Sequence, residues 1–363
     1  MVVYVSPAEA NGGILQFSTS IARETGALTD CRLFLPDVVD KSLYQDIADD
    51  VVPYGKVKTL KGKSKEILSL AKQIMSFSPG IVIFVEDSIL MQQLNRILNQ
   101  NDVKTAMVVH DVQHHPYRKM SVRRVVVDVL RRRMMKNTTK NIDKIILLSS
   151  NSEEAFRREY KAENTVIFRL PAHVPTVLPK KPLEIENDEK DFLLFFGRID
   201  KYKGINILCR AYSVLAEEYK AETGLVIAGN GYLSEEESKL IQSECHITPI
   251  IRFISDDEMV WLFHNAKSVV LPYIEASQSG VLPIAYKFGK SVIVSNLHGL
   301  TENVVEKKTG YVFRTMDELS ELLLQVIQSD PGEMKLYIEK YFEENFSWEK
   351  NIKKLFSLLG VKV

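Results

Sequence analysis

The sequence predicts an α/β protein of two doubly wound parallel-sheet domains, and three observations carry that reading. Short apolar runs alternate with amphipathic helical stretches, the pattern of strand, helix, strand construction. The pattern starts twice, at the N-terminus and again at Phe192, with Val174 to Lys190 between the two series. That intervening stretch, VPTVLPKKPLEIENDEK, holds three prolines and seven charges without strand or helical periodicity, and it reads as a linker. Finally, 363 residues suffice for two domains that each bury a core.

Each element follows from its residues. In the first half, strands are expected at Val2 to Ser6, Arg32 to Leu35, Ile81 to Val85, Ala106 to Val109, Ile145 to Leu148 and Val166 to Phe168, with helices between them. In the second half they are expected at Leu193 to Phe196, Leu225 to Ala228, Ile250 to Phe253, Ser268 to Leu271, Ser291 to Val294 and Gly310 to Phe313. After Pro331 come two helical segments, Met334 to Glu344 and Ser347 to Leu359, broken around Asn345 and Phe346. Their kink would let the last helix return to the first domain. The expected division is therefore 1–173 with 347–363, a linker over 174–190, and 191–346.

Composition excludes several classes. With 45% hydrophobic and 26% charged residues the chain is neither disordered nor collagen-like nor a coiled coil. No apolar run approaches the roughly 18 residues of a membrane span. The opening MVVYVSPAEA lacks a basic start, a long apolar segment and a small-residue cleavage site, so a cytoplasmic protein is expected. Cys31, Cys209 and Cys245 are odd in number and widely spaced, which suits neither a disulfide framework nor a zinc site; buried thiols are expected. The net charge of zero hides an asymmetry: residues 1–172 hold 25 basic and 19 acidic side chains, the remainder 22 and 28. Two modules facing different partners, one of them anionic, would produce that split.

Three strand-to-helix loops carry candidate chemistry. Gly12 and Gly13 would let the backbone approach a ligand, with free N–H groups at a helix start favouring an anion; a plain turn is the other reading. The stretch Gly197-Arg198-Ile199-Asp200-Lys201-Tyr202-Lys203-Gly204 places two cations, Arg198 and Lys203, where a parallel strand opens toward a crevice. They could clamp a diphosphate, or form a solvated basic loop. The loop of Glu275, Ser277, Gln278, Ser279 and Gly280 offers a carboxylate, hydrogen-bonding side chains and backbone amides, a set suited to a sugar beside a phosphate; helix capping would explain the serines alone.

Together, the Gly12-Gly13 loop, His110-Asp111 after a strand, the GRIDKYKG stretch, the Gly229-Asn230-Gly231 turn, the EASQSG loop and Phe346-Ser347-Trp348 resemble family 4 of the retaining glycosyltransferases. The resemblance is strongest from Phe192 to Phe313. It implies the GT-B architecture, two Rossmann-like domains facing a cleft, with the nucleotide-sugar donor held mainly by the C-terminal domain and the acceptor by the N-terminal one. The catalytic set it implies is His110, Arg198, Lys203 and Glu275. Donor contacts are expected at Gly12, Gly13, Gly229, Arg252, Phe253, Ser277, Gln278, Ser279 and Gly280, and acceptor contacts at Asp111, His114 and His115. One departure stands out: the family usually has two glutamates eight residues apart, and the aligned positions here are Ala276 and Ile284, so Glu275 is displaced by one and the ribose-binding glutamate is missing.

The implied reaction moves a sugar from a UDP- or GDP-linked donor to a glycan or lipid-linked glycan, with retention, in surface polysaccharide assembly. Asp-x-Asp does not occur, so no metal and no cofactor are expected. Between Tyr117 and Lys144 lie ten Arg and Lys against Asp128 and Asp143, with Val122, Val125, Val126, Val129 and Leu130 at helical spacing. That helix reads either as a solvated face packed on the core or as a surface for an anionic membrane, at the inner face of the plasma membrane. No aromatic residues interleave the basic stretch, so nucleic acid is not an expected partner. Competing readings are a nucleotide-sugar epimerase of the same layout and a nonenzymatic nucleotide-sugar-binding protein.

Overall fold

Residues 1–9, 12–55, 57, 65–110, 112, 122–186, 191–330, 332 and 334–361 are described by a computed structural model, with backbone alone at 122–126 and 128. They form two units, Met1–Arg169 with Trp348–Val363, and Leu170–Ser347. Residues 170–186, including the first part of the expected linker, thus count with the second unit.

Unit 1 runs β1 (Val2–Val5), α1 (Gly13–Gly26), β2 (Cys31–Pro36), β3 (Val51–Tyr54), α2 (Lys65–Met75), β4 (Ile81–Phe84), α3 (Ile89–Asn99), β5 (Thr105–Val109), α4 (Val122–Asn141), β6 (Lys144–Leu147), α5 (Ser150–Tyr160) and β7 (Thr165–Ile167). All seven strands are parallel in the order β3-β2-β1-β4-β5-β6-β7. Helices cover both faces of such a sheet, so its strands are continuous apolar runs: every residue of β1, β4 and β5 is buried. The chain builds outward from β1 to β3, then returns to place β4 on the other side of β1. That reversal opens a crevice at the carboxyl ends of β1 and β4.

Unit 2 runs β8 (Asp191–Phe196), α6 (Ile205–Ser213), α7 (Glu217–Glu222), β9 (Thr223–Gly229), α8 (Glu235–Gln242), β10 (Ile247–Ile251), α9 (Asp256–Asn265), β11 (Ser268–Leu271), α10 (Val281–Lys287), β12 (Ser291–Ser295), α11 (His298–Thr301), β13 (Gly310–Phe313), α12 (Met316–Gln328) and α13 (Lys335–Asn345). Its six parallel strands are ordered β10-β9-β8-β11-β12-β13, with the reversal between β8 and β11. Buried hydroxyls in this core find partners: the Tyr212 hydroxyl donates to Thr223 O at 2.7 Å, and that of Tyr286 lies 2.8 Å from Thr309 Oγ1.

The chain then returns to unit 1 as α14 (Trp348–Leu359). Its Ile352, Leu355, Phe356 and Leu359 are buried at helical spacing, each contributing roughly 1.5–3 kcal/mol. The ring of Trp348 lies 6.2 Å from Phe17 of α1 and 6.3 Å from Phe168.

Three expectations need correcting. β3 had no predicted counterpart; it is an edge strand that contains Pro53, a residue tolerated where one side of the strand lacks a partner. β10 ends at Ile251, so Arg252 and Phe253 lie beyond the strand; Pro249 sits within it, again at a sheet edge. Cys31 and Cys209 are buried, but Cys245 is exposed, because it occupies the surface turn between α8 and β10. Among the described residues, no helix is long and apolar enough to cross a membrane.

Residues 170–186 are fixed to unit 2 by more than chain continuity. Ala172 and Ile185 are buried in its core, and Lys180 N–H donates to Asp257 O at 3.0 Å. Arg252 spreads its fork over two carboxylates, 2.8 Å from both oxygens of Glu184 and 2.7 Å from both of Glu258. Hydrogen bonds from Arg252 bring the Glu258 carboxyl down to about 2 and also lower that of Glu184. A carboxylate held below its unfolded value stabilises the fold above that value and loses its effect as pH falls through the folded one. Arg252→Ala is expected to cost about 2 kcal/mol at neutral pH, a moderate figure because the guanidinium is partly exposed and screened. The gap between variant and parent should narrow below about pH 4.5 and close toward pH 2. Urea denaturation of both at pH 7 and pH 3 checks this, and a gap unchanged between the two would contradict it.

Candidate active site

The carboxyl ends of β8, β9 and β11 meet through their loops, and two glycines make that meeting physically achievable. Gly229 closes β9 at φ 157°, and a Cβ there would lie 1.7 Å from Gly197 O, so the β8 and β9 loops touch backbone to backbone. Gly204 has φ 68°, and its Cβ would fall 1.9 Å from Pro272 O, which ties the end of the GRIDKYKG stretch to the loop after β11. A hydrogen bond from Ile274 N–H to Tyr202 O, at 2.8 Å, fixes the same junction.

Between these loops lies Lys203. Its ammonium sits 3.5 Å from the centre of the Tyr273 ring and 5.0 Å from that of Tyr202, and no carboxylate pairs with it among the described residues. Burial, reinforced by the neighbouring Arg198 charge, pulls its pKa down to about 8. Arg198 is exposed and likewise forms no ion pair among the described residues. Asp200 is the acidic charge that acts on Lys203, at a distance too long for an ion pair, so the arrangement of two neighbouring cations favours an anion.

The loop after β11 supplies the polar groups. Tyr273 is buried, with its hydroxyl 3.5 Å from Ser279 Oγ, and that oxygen accepts the Val281 N–H at 3.3 Å. Ser279 is thus engaged in shaping the start of α10. Gln278 differs: its Oε1 is buried without a hydrogen-bond partner among the described residues, an unsatisfied acceptor on the same loop. Glu275 and Ser277 are half-buried there, and Gly280 immediately precedes α10. Arg252 and Phe253 lie past the sheet edge at β10; the guanidinium is occupied by Glu184 and Glu258, and the Phe253 ring is exposed.

In unit 1, the start of α1 and the end of β5 carry the other predicted residues. Among the described residues, a Cβ on Gly12 or Gly13 would meet nothing within 4 Å, and neither has a positive φ in the left-handed range, so no described contact requires glycine at either place. His110 follows β5 with Nε2 2.8 Å from Val85 O, and its ring stands edge-on to Phe17 at 5.4 Å. Asp111, His114 and His115 lie outside the described residues. Sequence reasoning passed over Tyr273; the only signal was a Pro-Tyr pair directly after a buried strand, which does not distinguish a cation's platform from a core aromatic.

Residues 180–345 match the sequence model of the family described as Glycosyl transferases group 1. The matched stretch lies within unit 2 and contains both the cation-bearing loop and the polar loop. Among curated relatives, an uncharacterized glycosyltransferase of Haemophilus influenzae is 26% identical over 58% of this chain and 59% of its own length. The chain spans about half the length of the curated relatives it matches. Among solved structures, sucrose-phosphate synthase from Thermosynechococcus elongatus superposes with a TM-score of 0.71, at 17% identity over 98% of each chain. HepE of Anabaena, solved in complex with UDP, gives 0.75 at 14% identity over 99% of each chain. These likenesses show the fold: two Rossmann-like parallel-sheet domains of the GT-B glycosyltransferase architecture.

Proposed function

We propose that the chain is a retaining, metal-independent glycosyltransferase of family 4 that takes a sugar from a nucleoside diphosphate donor, UDP- or GDP-linked, and passes it to a glycan or lipid-linked glycan. The observation that carries this reading is Lys203: a largely desolvated ammonium without a carboxylate, beside exposed Arg198, on loops locked together at the carboxyl edge of the sheet. In the reaction the bond from the anomeric carbon to the diphosphate oxygen breaks and an acceptor hydroxyl oxygen bonds to that carbon on the same face. Negative charge grows on the departing oxygen, and cations already in place stabilise it without reorganisation. Gln278, Ser277 and Glu275 would hold sugar or phosphate oxygens. His110, with its ring oriented by Val85 O and Phe17, would contact the donor sugar. That HepE was solved with UDP, and separately with UDP-glucose, supports a uridine donor. A membrane role for α4 draws support from exposed Val129 and Leu130 on the same helix as exposed Arg133, Lys136 and Lys140.

Thermal melting with UDP, GDP and ADP, each with and without EDTA, tests the donor site. A nucleotide at about 100 times its Kd adds roughly 2.7 kcal/mol of stability. One diphosphate should raise the melting temperature by several degrees, and EDTA should leave that shift unchanged. No shift with any of the three would remove the donor assignment, and a shift abolished by EDTA would remove metal independence.

A further inference from the structure

Unit 1 has a cavity of its own, of about 540 Å³, and it lies at the topological reversal of the first sheet. Its walls come from the segments that follow β1, β2, β3 and β4, closed on one side by α4. In open parallel sheets the crevice at such a reversal is where ligands bind. The walls are braced: the Tyr54 hydroxyl at the end of β3 donates to Ser6 O at 2.8 Å, and Arg131 of α4 lies 3.4 Å from Asp87.

Among the described residues, the charges of this lining are mainly acidic. Glu9, Asp37 and Glu86 border the cavity, while its one cation among the described residues, Arg131, is already paired with Asp87. Glu86 is half-buried and has no hydrogen-bond partner among the described residues; burial holds its carboxyl above the usual range, against the opposing attraction of the Arg131 charge. Pro7, Val38 and Leu90 add apolar surface. These carboxylates do not converge as metal ligands do. Among the described residues, the only trio of ligand atoms within 4.8 Å of one another is Glu217, Cys245 and His246, in unit 2.

We infer that this cavity binds a hydroxyl-rich ligand bearing a protonated amine, an amino sugar in chemical class, with Glu86 as the partner of the ammonium. Carboxylates accept hydrogen bonds from both hydroxyls and ammonium, and the apolar patches suit the face of a sugar ring. The same carboxylates repel a phosphorylated or carboxylated ligand. That this ligand is the acceptor rests on the sugar-transfer reading; its binding rests on the cavity alone.

Calorimetric titration of the full chain with glucosamine, glucose and glucose 6-phosphate tests the inference. Glucosamine should bind at least about tenfold more tightly than glucose, and glucose 6-phosphate should show no binding. Glu86→Gln should abolish the preference for glucosamine; Asp37→Asn, at an exposed position, should weaken it and serves if the first variant misfolds. Binding of glucose 6-phosphate as tight as that of glucosamine, an intact preference in both variants, or no binding of any sugar at millimolar concentration would overturn it. The UDP melting shift is measured alongside: its absence counts against the donor site and leaves the cavity result standing.

Discussion

Lys203→Ala is expected to slow sugar transfer about 100- to 1,000-fold at saturating donor, which corresponds to about 2.7–4 kcal/mol of lost transition-state stabilisation. The magnitude follows from placement. The ammonium is already out of bulk water, over the Tyr273 ring, so an arriving diphosphate meets a charge that needs no further desolvation. The same desolvation gives the site a pH signature. Lys203 titrates near 8 in the folded protein, below its ordinary value of 10.5, so it is charged below about pH 8 and neutral above it. Nucleotide affinity should hold from about pH 6 to pH 7.5 and fall about tenfold by pH 9, as one proton must then be taken up on binding. Over the same window the unfolded chain retains the proton that the folded chain loses, so the stability contributed through this group rises with pH while affinity falls. Lys203→Met keeps the packing, should melt no lower than the parent, and should abolish the fall in affinity. Turnover close to the parent's in either variant would sink the diphosphate role.

The second large effect is on stability. Gly204→Ala should destabilise unit 2 by about 3 kcal/mol: roughly 1–2 for a side chain in the left-handed region, and about 1–3 more for driving the backbone from Pro272 O. For a unit of this size that lowers its melting transition by about 6–12 °C. Because Gly204 follows Lys203 directly and its partner Pro272 precedes Tyr273, the variant should also blunt the nucleotide shift. Gly280→Ala is the control for packing. Among the described residues its Cβ would meet only Leu170 Cδ2, at the ordinary distance of 3.7 Å, so the melting temperature should hold. Equal melting of the two variants would show that the junction of the two loops can yield.

What could be read from the sequence divides along physical lines. Strands buried on both faces announce themselves as short apolar runs, and the helical pair at the C-terminus was legible from its periodicity to within a residue or two at α13 and α14. Two of the four edge strands were not: β3 had no expected counterpart and β10 was expected three residues late, and each holds a proline that interrupts its apolar run, whereas the edge strands β7 and β13 were read to within a residue. The two cations of the GRIDKYKG stretch were visible as residue types in a strand-to-helix loop. Invisible were the facts that set their chemistry, that Lys203 lies on Tyr273, 70 residues later in the chain, and lacks a carboxylate. Arg252 shows the converse. The resemblance implied a ligand contact there; Glu184, 68 residues earlier, pairs with it in the structure, and pairings at such separations leave no local trace.

The return of Trp348–Val363 to unit 1 has a consequence for the order of events during synthesis. The first unit begun is the last one completed. Its α1 and Phe168 leave the ribosome early, but the helix that covers Phe17 is made only after residues 170–347, a delay of roughly 10–35 s at about 5–20 residues per second. Throughout that interval the nascent first unit bears an uncovered aromatic patch, whereas unit 2 is contiguous and can close as soon as it emerges. Premature termination within the last helix would therefore injure the unit whose other residues were made first.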